Sequence, residues 1–129
     1  MSKTLVLIKP DAFERGLVSK IMEMIENKGF KISNIKIWSP APRNLVEKHY
    51  EQYSSRPHFS GNCDFLSSNQ LMSIIYEGEN AITEIRILQG NRNVPGTIRG
   101  TYCDDTRRNL IHASDSEESA IKEMNIWFP

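Results

Sequence analysis

The longest uninterrupted apolar run in this chain is Leu5–Ile8, and Lys9 and Pro10 close it. Thr4 to Lys9 is β-branched and apolar, and a proline has no amide hydrogen with which to continue a ladder, so the segment reads as one buried strand. A run this short is far from the roughly 18–20 apolar residues that cross a bilayer, so no transmembrane helix is expected. The amino end shows no basic stretch followed by an apolar leader, and a cytoplasmic location is expected. At 129 residues the chain suits one domain spanning 1–129. Sixteen Lys plus Arg balance sixteen Asp plus Glu, which excludes a net field that would draw bulk nucleic acid or an anionic membrane. Cys63 and Cys103 have no partner at metal-ligand spacing, so a zinc site is a poor reading and two reduced thiols are the default.

Periodicity beyond that strand predicts an alternation of elements. Asp11–Gly16 reads as a turn, and Leu17, Val18, Ile21, Met24 and Ile25 recur at helical spacing up to a Gly29 cap. Phe30 to Trp38 reads as a second strand with an irregularity between Ile32 and Ile35. Leu45–Tyr53 predicts a short polar helix, and Ser54–Asn62 a loop. Leu71–Tyr76 predicts the third strand, Asn80–Leu88 a helix, Gly90–Gly100 an exposed loop and Leu110–Ala113 the fourth strand. Ser114 to Glu117 has the Ser-x-x-Glu pattern of a capping box, opening a last helix with Ala120, Met124 and Trp127 inward. The order is α+β and ferredoxin-like, a βαββαβ sandwich in which a four-stranded antiparallel sheet carries helices on its faces.

Two places in this pattern suggest chemistry. From Arg86 to Cys103 the chain holds Arg86, Arg92 and Arg99, three glycines and no acidic residue. Guanidinium forks match phosphate oxygens, and hydrogen bonds to charged groups contribute about 1.5–3 kcal/mol each, so a polyphosphate would be held well there. A solvated basic loop with scattered ion pairs has the same composition, and clustering alone does not decide between them. His112 follows the short strand at a junction with the last helix, and a histidine is mostly neutral at pH 7, able to act as nucleophile or as acid and base. A core or capping histidine fits the same position. His49 and His58 lack such companions, and the direction of Glu123 on the final helix is open, with a solvent-facing residue the simplest reading.

Taken together, Ile8-Lys9-Pro10-Asp11, His49-Tyr50, Arg56-Pro57, Pro95-Gly96-Thr97-Ile98-Arg99-Gly100 and Arg108-Asn109-Leu110-Ile111-His112-Ala113-Ser114-Asp115-Ser116 closely resemble the nucleoside diphosphate kinase family along almost the whole chain. The resemblance implies ping-pong phosphoryl transfer. His112 attacks the terminal phosphate of a nucleoside triphosphate through Nδ1 and then hands the group to a diphosphate. It implies that the other ring nitrogen is held by a backbone carbonyl, with Glu123 and Ser114 beside the histidine. Lys9, Tyr50, Arg86, Arg99 and Asn109 match positions that hold phosphates and sugar hydroxyls. Mg²⁺ is expected to be held mainly by the nucleotide, with no protein metal ligand set. A homohexamer is the expected assembly.

The chain departs from the family pattern in several places. His58 stands where an aromatic residue stacks on the base, Asn62 where an aliphatic residue is common, and Arg107 where a glycine precedes the Arg-Asn pair. Ala113 replaces a common glycine, and only Gln89–Val94 separates Leu88 from Pro95, a shortened loop that includes Arg92. Arg92 joins the expected nucleotide contacts. Asn62, Arg107 and the short loop are expected to bias the enzyme toward pyrimidine and deoxyribose nucleotides. Two alternatives remain: a ferredoxin-like module that binds RNA or nucleotides, and a relative that keeps the fold without transfer. The first lacks a ribonucleoprotein segment, and retention of His112 with its cations argues against the second.

Overall fold

A computed structural model of the protein describes residues 1–129. The leading strand is β1 (Ser2–Ile8), which lies inside a four-stranded antiparallel sheet of order β2-β3-β1-β4, with β2 at Lys31–Trp38, β3 at Leu71–Gly78 and β4 at Ile111–Ala113. This is the ferredoxin-like α+β arrangement. Both faces of the sheet are covered at β1, which is why that strand reads as an unbroken apolar run and does not alternate with polar residues. Val6 and Ile8 pack against Ile21 and Ile25 of helix α2 (Val18–Glu26) and Ile85 and Leu88 of α5 (Ala81–Gln89). Leu5 and Leu7 pack on the opposite face against Val46 of α3 (Arg43–His49), Cys63 and Leu66 of α4 (Phe59–Leu66) and Trp127 of α7 (Glu117–Trp127). The irregularity in β2 is a bulge: Ile32 faces Tyr76 and Asn34 faces Ile75, leaving Ser33 as the extra residue.

Four expectations give way. The turn expected at Asp11–Gly16 is mostly a short helix, α1 (Pro10–Glu14), with only Arg15 and Gly16 turning after it, because Pro10 sits at its first position, where a missing amide hydrogen costs nothing. The loop at Ser54–Asn62 ends early, in α4, whose Gly61 and Asn62 are weak helix formers; burial of Cys63 and Leu66, three apart on one face, overrides that propensity. The segment Gly90–Gly100 runs into α6 (Ile98–Tyr102), capped by Thr97 Oγ1 accepting from the Gly100 amide at 3.0 Å. The last helix opens at Ser116 and not at Ser114: Ser116 Oγ accepts from the Ser119 amide, while Ser114 is fully buried and bonded elsewhere. No helix is long and apolar enough to cross a membrane. The two cysteines are free and lie on opposite sides of the sheet.

Candidate active site

β4 is the strand that carries the histidine, and the residue that enters it is strained. Leu110 has φ of +75°, a left-handed backbone that a branched side chain rarely adopts. Its amide donates to Asp11 Oδ2 at 3.1 Å and its carbonyl accepts from the Lys9 amide at 2.9 Å, so the end of β1 and the start of α1 hold the kink in place. His112 follows two residues later, paired with Leu7.

Glu123 projects from α7 toward that imidazole and is almost completely buried, which overturns the solvent-facing reading. Its Oε1 lies 2.7 Å from His112 Nε2 and accepts from Ser114 Oγ at 2.7 Å. A carboxylate oxygen can only accept here, so Nε2 carries a proton, and the tautomer this contact selects for the uncharged ring is the one with its lone pair on Nδ1. The expected backbone carbonyl on the second ring nitrogen is therefore replaced by a side-chain carboxylate, reached because α7 packs on β1, the strand that pairs with β4.

His112, Glu123, Tyr50, Arg86 and Arg99 line one cavity of about 160 Å³. Lys9 and Asn109 join it through hydrogen bonds. Lys9 Nζ donates to Asn109 Oδ1 at 2.6 Å, Asn109 Nδ2 donates to Thr106 O, and Arg99 donates to the Asn109 and Ile111 carbonyls at 3.3 and 2.7 Å. Neither Lys9, Arg86 nor Arg99 forms an ion pair with a carboxylate, since the pairs present all lie among other residues. Burial, then the nearby Arg99, lowers Lys9 to about 8, and burial, then Arg86, lowers Arg99. Asp11 offsets part of this crowding, but no carboxylate pairs directly with these cations, so their donors can be turned to an anion. Burial pushes Tyr50 up to about 12, so its phenol is a neutral donor.

Asn62 and Arg107 meet at the far side of this region: Arg107 Nε donates to Asn62 Oδ1 at 2.8 Å, and the guanidinium lies over Gly61, where a Cβ would come within 2.6 Å of it. His58 is exposed at the start of α4, and Arg92 is exposed with its guanidinium 3.4 Å from the Asp104 carbonyl; neither lines the cavity. The structure brings His49 beside His112, a companion its sequence neighbours did not reveal. Its ring stands edge-on to His112 with centroids 4.6 Å apart, Nδ1 accepts from Trp127 Nε1 at 3.2 Å, and burial, then His112, keeps it neutral well below the usual histidine range. The signal was its position three residues after Val46, on the buried face of α3. Gln89 was missed as well, because nothing in the sequence ties a helix-end amide to a distant strand.

His49, His112 and Glu123 bring ligand-type atoms within 4.8 Å of one another. Glu123 Oε1 and His49 Nδ1 are already engaged in hydrogen bonds, and a nitrogen-rich set suits neither the hardness nor the octahedral oxygen shell of Mg²⁺.

The chain matches the family model for nucleoside diphosphate kinase over residues 2–129. It is 60% identical to a nucleoside diphosphate kinase of Acanthamoeba polyphaga mimivirus, covering all of this chain and 94% of the relative. It is 43% identical to nucleoside diphosphate kinase 1 of Arabidopsis thaliana, covering all of this chain and 89% of that protein. Among solved structures, the Aquifex aeolicus nucleoside diphosphate kinase superposes with a TM-score of 0.94 at 34% identity, covering 99% of this chain and 95% of that one. The Halobacterium salinarum enzyme in complex with CDP gives 0.93 at 34% identity, covering 98% and 87%. With sequence, fold and the matched segment agreeing along its whole length, the chain belongs to the nucleoside diphosphate kinase family, enzymes that transfer a phosphoryl group between nucleotides.

Proposed function

We propose that residues 1–129 form one domain that passes the terminal phosphoryl group of a nucleoside triphosphate to a nucleoside diphosphate through a phosphohistidine on His112. The observation that carries this reading is the 2.7 Å contact from Glu123 Oε1 to His112 Nε2, with Ser114 on the same oxygen. It keeps the lone pair on Nδ1. That lone pair attacks the γ-phosphorus, the bond to the β–γ bridging oxygen breaks, and the diphosphate leaves with those electrons. The imidazole gains positive charge as the N–P bond forms, and the Glu123 carboxylate stabilises it. A terminal oxygen of the second nucleotide then attacks phosphorus and the N–P bond breaks, restoring the neutral ring.

Arg86 and Arg99 each spend some of their five donors on β4 carbonyls and keep the rest for phosphate oxygens. Lys9 adds a compact charge, Tyr50 a neutral hydroxyl, and Asn109 an amide toward the sugar. Exposed His58 serves base stacking and Arg92 the approach of phosphates. Mg²⁺ enters as part of the substrate, chelated by its phosphates; of the carboxylates lining the cleft, Glu123 is held by His112 and Ser114. The Arg107–Asn62 bond over Gly61 narrows the α4 side of the cleft, and Asn109 already uses one donor and one acceptor within the protein. Both favour a smaller base and a sugar with fewer hydroxyls, hence pyrimidine deoxynucleotides. We place the activity in the cytoplasm, consistent with two free thiols. We infer a homohexamer, supported by a free β2 edge that leaves Ile35 and Ile37 about half exposed.

The test is to mix the protein with γ-labelled ATP and Mg²⁺, then with unlabelled diphosphate. The expected result is protein-bound label that survives base, is lost in acid and is discharged by the diphosphate. His112→Ala should take no label; full turnover in that variant overturns the reading.

A further inference from the structure

β4 is an edge strand, and its outer edge is closed by side chains. It pairs only with β1, and the alternation of an antiparallel ladder directs the His112 backbone groups to Leu7 and those of Ile111 and Ala113 outward. The Ile111 carbonyl accepts from Arg99 Nη2 at 2.7 Å. The Ala113 carbonyl accepts from Arg86 Nη1 at 2.7 Å, and the Ala113 amide donates to Gln89 Oε1 at 2.6 Å. Arg86 and Gln89 stand three apart on α5 and therefore face the same way, so one helix grips both backbone groups of the residue that follows the histidine. Gln89 is 2% exposed.

We propose that Gln89 is a positioning residue for phosphoryl transfer, its carboxamide fixing the peptide plane between His112 and Ala113 and so the direction in which the imidazole points. The direction of a side chain from Cα follows the two peptide planes that flank it. Arg99 ties the plane before His112, Gln89 ties the plane after it, and Glu123 holds the far end of the ring. Without the acceptor at residue 89, the buried Ala113 amide has no partner, and the plane, left with only its carbonyl's tie to Leu7, tilts about that bond. The imidazole then leaves its line of attack, while the guanidinium groups that hold phosphate remain. The loss therefore falls on the chemical step.

This inference rests on the phosphohistidine reading, and its experiment separates the two. Single-turnover labelling by γ-labelled ATP is followed in the unaltered protein, in Gln89→Met, which keeps length without a strong acceptor, and in Gln89→Glu, which keeps an acceptor oxygen. Gln89→Met is expected to slow labelling about 10- to 100-fold while nucleotide affinity changes less than about twofold. Gln89→Glu is expected to recover most of the rate. In the unaltered protein the Ala113 amide is expected to resist hydrogen exchange, a measurement that needs no variant to fold. Labelling of Gln89→Met at the unaltered rate, a Glu variant no faster than the Met variant, or a freely exchanging Ala113 amide each overturns the role of Gln89 alone. Absence of label in the unaltered protein overturns the phosphohistidine reading and the positioning role together.

Discussion

Lys9 shows how a single residue can carry a testable electrostatic state. Burial and Arg99 lower it from an ordinary 10.5 to about 8, so near that pH the free protein begins to lose the charge that phosphate would restore. An arriving polyphosphate favours the ammonium form, and binding above pH 8 therefore takes up a proton. Affinity for a non-hydrolysable triphosphate should be flat below about pH 8 and fall above it, by up to about tenfold per pH unit. Titration calorimetry at several pH values checks this, and Lys9→Met should bind weakly without the alkaline decline. Stability follows the opposite course for this group. The unfolded chain binds more protons between about 8 and 10.5, so the penalty of the buried charge is complete below that window and fades as pH rises through it. Asn62 and Arg107 are also matters for single residues. If their bond shapes the base pocket, Asn62→Leu with Arg107→Gly should bring catalytic efficiencies for purine and pyrimidine diphosphates closer together, and an unchanged ratio removes these residues from specificity.

At the scale of elements, the short helix α6 decides where Arg99 stands. Gly100 lies where a Cβ would meet the Val94 carbonyl oxygen at 1.8 Å, a backbone atom that cannot swing aside. Gly100→Ala should therefore shift α6, pull Arg99 from the Ile111 carbonyl and lower both thermal stability and the labelling rate; a variant with unchanged melting and rate contradicts that account. This element was invisible in the sequence because glycine, proline and asparagine there all read as loop. Its helix exists through the Thr97 cap and the buried Ile98, neither of which periodicity registers over five residues. α4 was missed for the same reason. By contrast β1, α2 and α5 were readable directly, since each writes its burial into the spacing of Leu, Ile and Val, and the bulge in β2 showed as a break in alternation between Ile32 and Ile35.

For the molecule as a whole, the sheet, covered on both faces at β1, brings residues from opposite ends of the chain to one cleft. Lys9 leaves β1, Tyr50 follows α3, Arg86 and Arg99 come from α5 and α6, His112 from β4 and Glu123 from α7. The remaining free edge, β2, presents Ile35 and Ile37 to solvent in the isolated chain. Sedimentation should find an oligomer at micromolar concentration, and a charged residue at Ile37 should shift it toward smaller species; a monomeric unaltered protein would overturn the hexamer.

Local order alone carried the strand and helix pattern, the family likeness and the identity of His112 as the residue to watch, because hydrophobic spacing and short motifs are properties of neighbouring residues. The burial of Glu123 against His112, the neutral His49 behind it and the hold of Gln89 on Ala113 arose only once α7, α3 and α5 had packed on the sheet. Such contacts join residues 11, 63 and 24 positions apart. No periodicity of one element encodes the angle at which another crosses it, so the tautomer and aim of the histidine belong to the packed molecule.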